Sequence, residues 1–151
     1  MRLTIAGEVR AFPELVETIR SRRPETGSTL NHGTYESFKR SILTELSNRG
    51  FLEAELTSSA VVVSEDLSTA AIGIEVASGP RYRFGELSFT QGVLHEDLLS
   101  SAAAFNPGQY YEADDIARLH RQLLGSGFFA SVTINAEPVE GSLEVPVNVR
   151  L

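Results

Sequence analysis

Hydrophobic positions along this chain change period in a fixed order, and the order occurs twice. Leu3 and Ile5 alternate with polar neighbours before Gly7, the pattern of a short strand. Phe12, Leu15, Val16 and Ile19 then recur at helical spacing; Pro13 is tolerable in a first turn, and the helix should end near Arg22 and Arg23, ahead of Pro24 and Gly27. A second helix is expected from about Thr34, with Tyr35, Phe38, Ile42 and Leu46 on one stripe and Lys39, Arg40, Glu45 and Asn48 facing elsewhere. Gly50 supplies the left-handed cap that a residue with a side chain adopts only under strain. Strand character fills 52–63, a turn falls at Glu65, Asp66 and Ser68, and Ala70, Ile72, Ile74 and Val76 alternate as a strand with one face on a core. The unit reads β-α-α-β-β. Three strands alone would leave an apolar face in water, so both helices are expected on one side of the sheet.

The second half repeats the order. Tyr82, Phe84, Leu87 and Phe89 mark a first strand whose phase changes near Gly85 and Glu86, which suggests a bulge. Val93, Leu98, Leu99 and Ala102 suggest a short helix, and Ile116, Leu119, Leu123 and Leu124 line a longer one. Val132, Ile134 and Ala136 alternate before a tight connection at Glu140, Gly141 and Ser142, and Leu143, Val145, Val147 and Val149 form the last strand. Pro146 removes a ladder donor there and should face outward or meet an irregularity.

Ile42, Leu46, Gly50, Phe51 and Ala54 match Leu119, Leu123, Gly127, Phe128 and Ser131 at an offset of 77, whereas Leu3 and Ile5 match Leu87 and Phe89 at 84. Seven extra residues in the first copy therefore lie between first strand and second helix, where loop growth costs little closure entropy. The fold class is α+β: two tandem β-α-α-β-β domains, each a three-stranded sheet packed on two helices, at 1–78 and 79–151. Gly50 with Phe51 and Gly127 with Phe128 are expected as matching caps and core rings. Gly79 and Pro80 form the domain junction, where few soft dihedrals remain and a preferred interdomain angle is expected.

Charge and composition narrow the chemistry. A net charge of −7 over 151 residues gives no broad positive surface for nucleic acid. The Arg20, Arg22, Arg23 cluster is well placed against a helix dipole. With no cysteine, neither a disulfide nor a thiol nucleophile is available, which fits an oxidising compartment as well as a reducing one. His32, His95 and His120 are scattered without metal-ligand spacing, and the serines have no visible base partner. No catalytic, cofactor or metal residue is assigned, and an enzyme is not expected. Tyr82, Tyr110, Tyr111 and Phe129 are candidate surface or interdomain aromatics, because a tyrosine can cover an interface while its hydroxyl stays solvated.

Gly79-Pro80-Arg81-Tyr82-Arg83-Phe84-Gly85-Glu86-Leu87, then Phe105, Pro107, Gly108, Gln109 and Tyr110, then Gly127, Phe128, Phe129 and Val132, strongly resemble a polypeptide-transport-associated (POTRA) domain. Val145-Pro146-Val147-Asn148-Val149 resembles the final strand of such a domain just before an outer-membrane β-barrel, and the first copy matches in Tyr35, Lys39, Leu43 or Leu46, Gly50, Phe51 and Ala54. Within the family, the Arg-Tyr-Arg-Phe-Gly stretch is most similar to the TamA-like assembly barrels, with BamA-like and surface-protein assembly barrels next. The resemblance implies a periplasmic arm of an outer-membrane protein in a Gram-negative bacterium, linked to a C-terminal β-barrel. It also implies a TamB-like inner-membrane partner and unfolded outer-membrane or autotransporter polypeptides as clients. In the family's arrangement the third strand is central and the second lies at an edge. That directs attention to Leu56, Val61 and Val63 and to Val132, Ile134 and Ala136 as strand-edge interaction residues, by β-augmentation. The competing reading is a structural spacer that positions the barrel.

Overall fold

Parallel pairing between the first and last strand of each repeat organises both halves. The structure is a computed structural model and describes residues 1–29, 31–66, 68–90 and 105–151. The chain divides into two compact units, Met1–Ser47 with Phe51–Arg81, and Asn48–Gly50 with Tyr82–Leu151. The architecture is α+β, two tandem units of β-α-α-β-β type. The short helix expected from Val93 to Ala102 lies outside the described residues.

In the first unit, β1 (Arg2–Ala6) leads through a 3-10 turn (Glu8–Ala11) to α1 (Pro13–Ser21) and α2 (His32–Asn48), followed by β2 (Glu55–Val63) and β3 (Ala70–Ala77). The sheet order is β1-β3-β2. Leu3 pairs with Ile74 and Ile5 with Val76 in parallel, a geometry that requires a crossover, and the two helices supply it. Their apolar stripes meet the sheet: Ile19, Ile42, Leu46, Phe51, Ile74 and Val76 are buried in one cluster. Gly50 has φ 95°, and the Phe51 N–H donates to the Leu46 carbonyl five residues back at 2.9 Å. This is a Schellman closure, with the C″ ring of Phe51 and the C3 side chain of Leu46 in the same core.

A buried hydroxyl fixes the start of the 3-10 turn. Ser78 is fully buried; its Oγ accepts from the Val9 N–H at 3.2 Å and donates to the Gly79 carbonyl at 2.9 Å. Gly7 has φ 102° and ψ −168°, a region essentially restricted to glycine, and a methyl group there would overlap Ser78 Oγ.

The second unit contains β4 (Arg83–Thr90), α3 (Ala113–Gly125), β5 (Thr133–Ala136) and β6 (Glu144–Arg150), in sheet order β4-β6-β5. Leu87 pairs with Val147 and Phe89 with Val149 in parallel. Between Phe84↔Val145 and Leu87↔Val147 the register shifts, so Gly85 and Glu86 face only Pro146. The expected bulge and the expected irregularity at the proline are therefore one feature: the residue without an N–H lies where the ladder is already broken.

One expectation about the repeat needs correction. The pairing makes Leu56, opposite Val76, the counterpart of Ile134, opposite Val149, because Val76 and Val149 lie opposite Ile5 and Phe89. The strand offset is 78, while the helix offset Leu46 to Leu123 is 77. One extra residue thus enters the second unit after the helix. Its consequence is that Phe128 is 76% exposed, whereas Phe129 packs against the core of the second unit. Phe129, not Phe128, takes the place of Phe51.

Candidate strand-edge interface

Among the described residues β2 is the longest strand, nine residues, and it is outermost in its sheet. Directly paired residues in an antiparallel ladder share a face. Val61 lies opposite Ile72 and Val63 opposite Ala70, on the side of Ile74 and Val76, while Val62 lies opposite Ala71 on the other side. Val61, Val62 and Val63 are nevertheless 38%, 65% and 50% exposed. Among the described residues the edge therefore offers unpaired backbone groups, with β-branched side chains on both faces, which is what an added strand would bury. Leu56, near the start of β2, is half-buried against the first core, and the register shifts between Leu56 and Ser58. A cleft of about 720 Å³ opens at the far end of β2 and includes Tyr35, Val63, Thr69 and Ile72 in its walls.

The two edges of the second sheet are less open. β5 has four residues, and Ile134 and Ala136 on it pack against the second core. Val132 is buried and precedes β5, so it is core and not an edge residue. The first residues of β4 are closed by the unit's own backbone. The Phe84 N–H donates to the Gln109 carbonyl at 2.7 Å, the Gly108 N–H to Phe84 at 2.8 Å and the Tyr111 N–H to Tyr82 at 3.0 Å.

The arginines of the Arg81-Tyr82-Arg83 stretch each lie over rings of their own unit, and periodicity did not reveal this. Arg81 stacks 4.5 Å from the Phe12 centroid, and Arg83 stacks 4.1 Å from that of Tyr110 while donating to the Gly108 carbonyl at 2.8 Å. Tyr82 is only 6% exposed, so it is not a surface aromatic. Tyr110 is half-buried beneath Arg83. Tyr111 is half-buried, with its ring 5.2 Å from that of Phe84, and burial raises its pKa above the usual tyrosine value. The signal in the sequence was the alternation of arginine with aromatics, a spacing that suits cation–π stacking.

Among the described residues, no group of three or more His, Asp and Glu side chains is placed to hold a metal ion. His120 Nε2 lies 3.1 Å from the Val132 carbonyl, tying α3 to the segment before β5. Asp114 and Asp115 sit in the first turn of α3, where they complement the helix dipole and pair with Arg118.

No family model matches the sequence. Solved structures are similar over essentially the whole chain. POTRA domains 3–5 of BamA from Haemophilus influenzae give a TM-score of 0.66 at 23% identity, covering 100% of this chain and 60% of that one. BamA from Haemophilus ducreyi lacking POTRA domains 1–3 gives 0.71 at 17% identity, with 99% and 28% covered. POTRA domains 1–2 of Omp85 from Anabaena give 0.58 at 13% identity, with 98% and 91% covered. The chain thus spans three fifths of the first of these and less than a third of the second. Its fold is that of POTRA domains in tandem.

Proposed function

We propose that this chain is a periplasmic binding and scaffolding module of an outer-membrane protein assembly or translocation factor, and that it captures extended polypeptide by strand addition at β2. The observation that carries this reading is the nine-residue outermost strand with valines exposed on both faces, against a four-residue β5 and a β4 whose start is already paired. Backbone pairing tolerates many client sequences, and the exposed valines favour clients with alternating apolar residues. The affinity of one edge is low and becomes useful when several modules act together. The TamB-like partner, the autotransporter clients and the covalently linked barrel belong to the same proposal.

A spacer role is favoured by a different observation, the tight exit of the first unit at Ser78, Gly79 and Arg81. The two readings separate on edge variants. Val61→Lys and Val63→Lys place charge on exposed positions, where surface substitutions cost little stability. Loss of client binding with unchanged unfolding supports strand capture. Unchanged binding and assembly, with loss only on removal of a whole unit, supports the spacer.

A further inference from the structure

We propose that the strand captured at β2 is a basic-flanked one: an extended segment the length of β2, alternating apolar and polar, with Lys or Arg at both ends. The proposal deepens the reading above and rests on it, since the occupant is the same added strand and only its charge is new.

Charge around the edge carries the inference. From Phe51 to Pro80 the charged residues are Glu53, Glu55, Glu65, Asp66 and Glu75, all exposed, and there is no Lys, Arg or His. Leu56 to Ser64 is uncharged, so carboxylates stand at the two ends of the edge and not along it. Glu55 opens β2, and Glu65 and Asp66 follow in the turn to β3. Glu75, on the central strand opposite Ser58, shares the face away from the core with Glu55, which lies opposite Ala77. Among the described residues Glu55, Glu65 and Glu75 make no ion pair. The Ser64 and Ser68 hydroxyls that donate to Asp66 keep its carboxyl ionised. Charge placed along an edge blocks pairing, whereas charge at its ends leaves the backbone free and selects what pairs.

The cations of the first unit are engaged or set away from this edge. Lys39 pairs with Glu36 and Arg22 with Glu45, each at 3.0 Å, and Arg81 lies over Phe12. Arg40 is on the side of α2 opposite the buried Phe38 and Ile42. Arg20 and Arg23 border a separate hollow, and in the cleft at the end of β2 the only charged side chain among the described walls is Glu25. Arg10 follows β1, and Arg2 lies on β1 itself, at the other edge of the sheet. At about 4.8 Å per strand, a strand added beyond β2 is about 14 Å from β1, outside the Debye length of about 8 Å at physiological ionic strength. Leu30, Leu67 and residues 91–104, which lie outside the described structure, include no Lys or Arg, so they bring no positive side chain to the edge. The same carboxylates disfavour the alternative occupants. Antiparallel pairing with β2 of a second copy would set Glu55 of one chain towards Glu65 and Asp66 of the other, and an acidic client would meet like repulsion.

The backbone supplies the readout. The Ser64 N–H donates to the Thr69 carbonyl, so in the same register Val62 and Ala60 bond across to β3, and the N–H and C=O groups of Ser59, Val61 and Val63 point away from it. The isotope-labelled chain would be titrated with capped peptides that share one alternating core and carry Lys, Gln or Glu at both ends. Binding is read as amide shifts with slowed exchange at Ser59, Val61 and Val63. The Lys-flanked peptide is expected to bind about tenfold more tightly than the Glu-flanked one at low ionic strength, with the Gln-flanked one between. The difference should vanish at about 1 M salt, where the Debye length is about 3 Å. Glu55→Lys with Glu65→Lys should reverse the order, whereas Glu137→Lys with Glu140→Lys, the same change of net charge on exposed positions of the second unit, should leave it as it was. Should the Lys variants lower the thermal unfolding midpoint, Glu55→Gln with Glu65→Gln should abolish the preference instead. Equal affinities for the three peptides, or a preference that the Glu137 and Glu140 changes erase as fully as those at Glu55 and Glu65, overturns the proposal. Equal binding at β2 leaves strand capture standing and removes only its charge preference, while binding of none of the peptides removes both.

Discussion

The guanidinium of Arg81 lies 4.5 Å from the ring centroid of Phe12 and 5.6 Å from that of Phe51, while the Arg81 N–H donates to Glu8 at 3.2 Å. The two rings meet edge to face at 6.0 Å. One residue at the end of the first unit is therefore held on three elements together, its backbone on the 3-10 turn and its side chain on the entry of α1 and the cap of α2. Partly buried cation–π contacts contribute about 1 kcal/mol. Arg81→Ala should lower the stability of the first unit by about that much, and Arg81→Lys by less, since an ammonium keeps the charge without the planar stack. Urea unfolding followed by residue-resolved NMR of the first unit checks both.

The adjacent phenylalanines of the second unit separate by burial. Phe128→Ala should change stability by no more than about 0.5 kcal/mol, as exposed positions do. Phe51→Ala should cost about 3–5 kcal/mol, the range for a buried ring, with Phe129→Ala between them. Thermal unfolding of the three variants orders them; a larger loss at Phe128 than at Phe129 would contradict the assigned register.

That register shows where the sequence was legible and where it was not. The helix stripes through Ile42 and Leu46 and through Leu119 and Leu123, the positive-φ glycines and the bulge opposite Pro146 all follow from local rules, and the structure has them. The single residue inserted after α3 does not follow from local rules. Gly127 precedes two phenylalanines, either of which satisfies the pattern, and only the pairing of Ile134 with Val149 decides between them. The pattern puts Val132 on the edge, although it is core, for the same reason: alternation with Ile134 and Ala136 cannot tell a strand residue from the core residue leading into it. The edge character of β2 was implied by family resemblance, because valine runs look alike whether their face is covered or bare.

The bulge at Gly85 should be intolerant in one direction only. A Cβ at Gly85 would come within 3.1 Å of the Pro146 nitrogen and 3.2 Å of its Cα, backbone atoms that cannot swing aside. Gly85→Val should destabilise the second unit by about 1–3 kcal/mol, as overpacking does. Pro146→Ala should cost less, since the position lies opposite the bulge where the ladder is already interrupted. Guanidinium unfolding of the two variants tests the asymmetry.

The β2–β3 turn carries a titration marker. Ser64 and Ser68 hydroxyls donate to Asp66 Oδ1 at 2.6 and 2.7 Å and the Ser68 N–H at 3.1 Å, holding the carboxyl at about 2 against an ordinary 3.8. Because the folded value is depressed, the contribution of these bonds is present above the unfolded pKa and is lost as pH falls through the folded one. An NMR titration of the Asp66 carboxyl should show its midpoint near 2, and Ser64→Ala should move it towards 3.8.

Amide-shift mapping tests the central claim most directly. The isotope-labelled chain would be titrated with a short peptide that alternates apolar and polar residues in the manner of an outer-membrane β-strand. Strand capture predicts progressive shifts along Glu55–Val63, strongest towards Val61, Val62 and Val63, with slower amide exchange there and little change on β5. Saturating peptide that leaves β2 unshifted, or that perturbs only loops, would contradict it.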